Sequence, residues 1–277
     1  MPNEISYVDN TGGTLAHYKM LERIKLLAEA NGWVVLRYDT ASANRELILK
    51  GAGLSGTEEI FCGFRTYQDN GADYYNLVAA TFTGYVAGNT FDTQPGVALS
   101  GVPAHNNRVD YWLTLNGQRI VLAAKVGTPV YEFAYVGKSL PRALPGQYPA
   151  PLVCGGMLNG TPATRFSETT HSMPFKGNRA NFKVRDPGGA WVQAYAWPFQ
   201  NGVMTALRDT DGRYPLTPII VNDNTDDTWG ELDGVFHISG FNNATENVLV
   251  IGGVTYVVFQ DVWRTGFGDY VAIRMDA

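Results

Sequence analysis

Apolar residues recur at helical spacing only near the start of the chain. Tyr18, Leu21, Ile24, Leu27 and Ala28 place one apolar stripe on a helix running from about Thr14 to Asn31. Thr14 is placed to cap the free amides at its start, and Asn31-Gly32 offers a left-handed stop at its end. From Trp33 the period changes to two. Trp33 to Tyr38, Glu46 to Lys50, Glu58 to Tyr67 and Tyr74 to Thr83 read as strands, which predicts a helix packed on a sheet.

The clearest hairpin follows. Val109, Tyr111, Leu113 and Leu115 share one face, and Asn116-Gly117 supplies the positive φ that a type I′ turn needs. The returning strand, Arg119 to Val126, is apolar on both faces and belongs in the middle of a sheet. The prolines between Pro141 and Pro151 remove backbone donors, so that stretch is an extended connection. Leu158 to Gly189 is rich in Gly, Pro, Asn and Thr and reads as a long loop region. A second unit begins near Ala190, with a hairpin of Asn247 to Ile251, Gly252-Gly253 and Val254 to Phe259. The expected class is strand-dominated α+β. Residues 1–157 form an N-terminal α+β domain, its helix packed on an antiparallel or mixed sheet, and residues 158–277 a β-rich C-terminal region. There is neither a fixed-period repeat nor a heptad run, which argues against a fibre shaft.

A chain of 277 residues can bury a sizeable core. Its formal charge is −5 with both signs interspersed, and without a Lys/Arg run no specific nucleic-acid binding is expected. Cys62 and Cys154 are far apart in apolar surroundings and read as buried free thiols. The N-terminus lacks the charged and apolar regions of a signal peptide, and no apolar stretch reaches spanning length; a soluble product without membrane partners is expected.

Candidate chemistry is sparse. Gly51, Gly53 and Gly56 match a dinucleotide-loop pattern, but a strand-like run follows where the phosphate-binding helix should be. Gly137-Lys138-Ser139 resembles the end of a P-loop, but Glu132 stands where its first glycine belongs. His17, His105, His171 and His237 have no second ligand at metal spacing. Glu231 and Asp233, two apart on a strand, would share a face as a carboxylate pair does. Asp209-Thr-Asp211-Gly212 and Asn222 to Asp227 lack the offsets of a calcium loop. Tyr74, Tyr75, Tyr111, Trp112, Trp191, Trp197, Trp229 and Trp263 are read as core or subunit interface ahead of a sugar platform. No catalytic, cofactor-binding or metal residue is therefore assigned, and no enzyme is expected.

Two blocks of residues carry a family resemblance. The first runs from Trp33 through Glu59-Ile-Phe-Cys-Gly-Phe-Arg-Thr-Tyr67, Phe82-Thr-Gly-Tyr85, Gln94-Pro-Gly96, Asn116-Gly-Gln-Arg-Ile-Val and Tyr148-Pro-Ala-Pro. The second is Gly230-Glu-Leu-Asp-Gly-Val-Phe with Val254-Thr-Tyr and Arg264-Thr-Gly-Phe-Gly-Asp-Tyr. Together, over about two thirds of the chain, they resemble a family of tailed-bacteriophage virion structural proteins. The resemblance implies a non-enzymatic, multi-copy virion component made in the host cytoplasm. Its implied place is the head–tail neck as a collar or tail-completion protein, with the baseplate or tail tip as the alternative. The implied partners are copies of itself in a symmetric ring, the portal or connector, and tail or baseplate subunits. A host-glycan-binding module or a glycan hydrolase of the tail is the other reading, and would need Trp229, Glu231 and Asp233 in one open patch.

Overall fold

A computed structural model describes residues 2–127, 130–141, 151–167, 171–176, 180–199, 215–223, 228–262 and 266–276. Helix α1 spans Ala16–Ala30. It stops where the sequence predicts: Gly32 takes φ +85°, and the Trp33 N–H donates back to the Ala28 carbonyl. Its start differs. The N-cap is Leu15, and no local side chain caps the helix; instead Asn106 Oδ1 accepts the Ala16 N–H at 3.0 Å. A loop 90 residues away in sequence replaces the Thr14 cap. Ala16, Met20, Leu21, Ile24 and Ala28 are buried, whereas Tyr18 and Leu27 are only half-buried.

The described strands form three antiparallel sheets. The first runs, in spatial order, β1 (Asn3–Val8), β7 (Val109–Leu115), β8 (Arg119–Lys125), β9 (Tyr131–Lys138), β10 (Leu152–Gly155), β12 (Phe182–Arg185) and β13 (Trp191–Gln193). The second is β11 (Leu158–Asn159), β6 (Ala98–Val102), β5 (Tyr74–Phe82), β4 (Ile60–Asp69), β3 (Glu46–Gly51) and β2 (Val34–Asp39). The third is β14 (Tyr195–Trp197), β15 (Thr217–Asn222), β16 (Thr228–His237), β19 (Tyr270–Arg274), β18 (Val254–Gln260) and β17 (Val248–Ile251).

The first sheet is the middle layer of a stack. On β8, Ile120, Leu122 and Ala124 enter a core shared with Leu47, Leu49, Cys62 and Phe64 of the second sheet. The alternate residues Val121 and Ala123 enter a core shared with Val235, Val257, Phe259 and Ile273 of the third. A strand apolar on both faces thus sits third among seven, with a layer against each face. The buried residues of α1 belong to the same core as the first two sheets. Each fully buried Leu, Ile or Phe in these cores contributes about 1.5–3 kcal/mol.

Two local expectations need correction. The β7–β8 turn is not type I′, because neither Asn116 nor Gly117 has a positive φ. The loop is Gly117-Gln118, and Asn116 Oδ1 accepts the N–H groups of Gln118 and Arg119. Gly117 is required for another reason: a Cβ there would lie 2.4 Å from the Gly53 carbonyl oxygen. In the β17–β18 hairpin, by contrast, Gly252 and Gly253 both take positive φ, at 60° and 81°. Leu158 to Gly189 is also not loop throughout. Phe182 and Val184 are fully buried on β12, which pairs with β10 and β13. Strands from both sides of residue 157 share the first and second sheets. The proline-rich stretch lies mostly outside the described residues.

Candidate functional site

Gly51 and Gly53 make a backbone junction with Gly117, whereas Gly56 is an exposed turn residue at φ +78°. Gly53 N–H donates to the Gly117 carbonyl at 2.8 Å, and a Cβ on Gly51 would lie 2.5 Å from that same oxygen. Lys138 is the last residue of β9, and its Nζ pairs with Glu58. Both cysteines are free and fully buried, and burial pushes the Cys154 thiol up to about 12. Among the described residues no three His, Cys, Asp or Glu side chains are grouped to hold a metal. Asp209, Asp211, Gly212, Asn224, Asp226, Asp227, Trp263 and Arg264 lie outside the described residues.

The open patch expected at Trp229, Glu231 and Asp233 does not form. Trp229 is 5% exposed and Asp233 is 8% exposed. Asn116 Nδ2 and Gln118 Nε2 donate to Asp233 Oδ2 at 2.6 and 3.0 Å, and the fully buried Arg119 Nε lies 3.7 Å away. Strand alternation fails here because Gly234 takes φ +75° and the β15–β16 register shifts. Trp229, Leu232 and Val235 consequently all enter the core between the first and third sheets. Glu231 stays half-buried while Trp229 and Asp233 are closed off, so the three do not form one open platform or carboxylate pair.

Three buried ionic groups escaped the sequence reading. One is the Asp233 cluster. A second is Glu132, fully buried on β9, with Oε1 2.5 Å from His171 Nε2. Burial pushes Glu132 up to about 7, against the lowering effect of His171. The third is Asp261, fully buried, which accepts the Met173 N–H and pairs at 3.1 Å with the half-buried Lys176, itself 2.7 Å from Asp269. The legible signal was a charged residue inside an apolar strand, as in Tyr131-Glu132-Phe133; its partner, 39 residues on, was not legible.

Five of the ten exposed large apolar residues among the described residues, Ile5, Tyr7, Val248, Val250 and Ile251, lie on two strands, β1 and β17. Among the described strands β1 and β17 are edges, each paired on one side only. Asn3 Nδ2 donates to the Met275 carbonyl at 2.7 Å, and Met275 N–H donates to the Thr255 carbonyl at 2.8 Å. Thr255 is the strand partner of Val250, so the two edges lie on the same side. Ile5 stands opposite Trp112 and Val248 opposite Val257, and both partners belong to the core between these two sheets. Directly opposed residues point to the same face. Ile5, Tyr7, Val248 and Val250 therefore line the margin of that core, yet are 55%, 50%, 62% and 69% exposed. Arg108 lies 4.0 Å over the Tyr7 ring and steadies it. This margin combines apolar side chains with two sheet edges that no other described strand covers, which suits the pairing of chains.

No protein-family model matches the chain, and no curated protein matches its sequence. No helix of the described residues is long and apolar enough to cross a membrane.

Proposed function

We propose that this chain is a non-enzymatic structural component of a tailed-phage virion, repeated as a ring at the head–tail neck. The observation that carries the assembly reading is the open margin: Ile5, Tyr7, Val248 and Val250 stand exposed along two edge strands of adjoining sheets. Natural sheets guard such edges with charge, proline or a covering element, and β17 (Val-Leu-Val-Ile) carries neither charge nor proline. A neighbouring copy seated there would cover the apolar margin and continue the ladder, which is how strands build symmetric contacts. In this reading α1 is a stiffening element that packs beside β1, where its Arg23 pairs with Glu4 at 2.7 Å, and the exposed Ile5 and Tyr7 lie on the other face of that strand. The virion half of the proposal rests on the resemblance of the two residue blocks.

The test is to locate the chain in purified particles by cryo-electron microscopy. A ring of copies beneath the portal, with β1 or β17 at the contact, is the expected result. Copies at the distal end would move the assignment to the baseplate. Absence from particles, with strictly monomeric sedimentation, would overturn it.

A further inference from the structure

A polar cleft of about 320 Å³ opens at the β4–β5 turn, lined by Asn10, Asp73, Tyr75, His105, Asn106 and Asn107, with Arg165, Phe166 and Ser167 closing it. Its three main walls are distant in sequence but pinned from beneath by one side chain. Asn76, fully buried, donates through Nδ2 to the carbonyls of Pro162 (2.9 Å) and Thr164 (2.8 Å). Its Oδ1 accepts the Ala104 N–H at 2.9 Å. Asp69 Oδ1 accepts the N–H groups of Gly71 and Ala72 and shapes the turn that holds Asp73 at φ +55°, a conformation side chains rarely adopt. A site held this way loses little entropy on binding.

The lining restricts the ligand. Asp73 and Arg165 pair at 3.7 Å, so the cleft has no unbalanced charge for a free anion or cation. His105 accepts the Asn107 N–H at Nδ1, and burial lowers its pKa, so it adds no charge near neutral pH. Tyr75 and Phe166 offer half-buried rings, the first edge-on to His17 and the second edge-on to His105. Three primary amides surround them, and a primary amide donates and accepts as a hydroxyl does; in Asn106 the Oδ1 is already engaged by the Ala16 N–H, which fixes its Nδ2 as the donor. Aromatic faces carry negative charge and attract the polarised C–H face of a sugar ring.

We propose that this cleft binds a neutral saccharide of one or two residues. Tyr75 and Phe166 form the stacking faces, while Asn106, Asn107 and Arg165 read the hydroxyls. The site lies apart from the closed Trp229–Asp233 region and stands whether or not the chain is a virion component. Saturation-transfer NMR on the full chain tests it, with maltose, cellobiose, lactose and chitobiose as probes at millimolar concentration and adenosine as a flat aromatic competitor. Transfer to at least one saccharide is expected, with affinity at least about tenfold weaker in Asn107→Ala and in Phe166→Ala. Should Phe166→Ala fail to fold, Asn107→Ala decides, because that residue is exposed. Transfer to none of the saccharides, transfer to adenosine alone, or saccharide binding unchanged in both variants would overturn the proposal.

Discussion

Against the second sheet, the middle sheet is fastened mostly by neutral side chains that reach backbone. Thr81 Oγ1 donates to the Val153 carbonyl at 2.8 Å and accepts the Gly137 N–H, and Ser100 Oγ donates to the Asn181 carbonyl. Charged side chains take part on that side through the Lys138–Glu58 pair and through Lys183, whose Nζ donates to the Leu99 carbonyl at 3.3 Å. Against the third sheet, neutral ties such as Asn3 with the Met275 carbonyl are joined by charged ones: Asp233 with Arg119, Lys125 with Glu246, and Lys176 between Asp261 and Asp269. Neutral bonds to backbone satisfy buried groups without desolvating an ion, so they suit a closed core. Buried ion pairs cost desolvation and add directional attachment in return. The third sheet is placed by specific charges, and the core it shares with the middle sheet is the one left open along β1 and β17.

The contrast can be broken by mutation. Asp233→Ala strands Arg119 as a buried charge without its carboxylate, and chemical denaturation should show a loss of about 3–5 kcal/mol. A loss no greater than that of a neutral tie would end the distinction. Next in size is a pH effect with opposite signs at two buried groups. Burial lowers His17 to about 4 from 6.5, so its neutral form is stable in the core and stability falls as pH drops from 6.5 through about 4. The loss reaches about 3 kcal/mol, and His17→Gln should flatten it in a thermal-melt series. Glu132 is raised from 4.5 to about 7, so its contribution is complete below about 4.5 and disappears as pH rises through 7. Glu132→Gln should remove that alkaline-side decline; an unchanged profile would show that the Glu132–His171 contact does not titrate with folding. Thr81→Ala, on the neutral side, should cost about 1–3 kcal/mol by leaving the Gly137 N–H without that acceptor. The smallest effect belongs to Lys125→Ala. Its pair with Glu246 is partly exposed, so under about 1 kcal/mol is expected, shrinking further in high salt. A larger, salt-insensitive loss would mean that the charged side is closed after all.

Much of the strand layout was legible because the evidence for it is local. The alternation that marks β3, β5 and β7, the two-sided apolar run of β8, and the Gly252-Gly253 turn are all contained within a few neighbouring residues. The helix stop at Gly32 is local too. The helix start was misread because its cap, Asn106, is supplied by a distant loop. The Asn116-Gly117 turn was misassigned because Gly117 answers to the close approach of Gly53, a tertiary demand that resembles a turn preference. β12 was missed because four residues, Phe-Lys-Val-Arg, carry too short a period to stand out from a polar stretch.

The sites divide along the same line. By itself the sequence determined that this chain is strand-rich, with a helix near its start, and that a strand-like run follows the Gly51, Gly53 and Gly56 turn. Each of those properties is a matter of period or offset along the chain. Only the tertiary structure decided that Trp229 and Asp233 are buried, that two edge strands share one open margin, and that Asn76 ties two distant loops to its own strand beneath a cleft. Burial and side-chain partnership depend on what arrives from 28 to 117 residues away, and no local pattern carries that information.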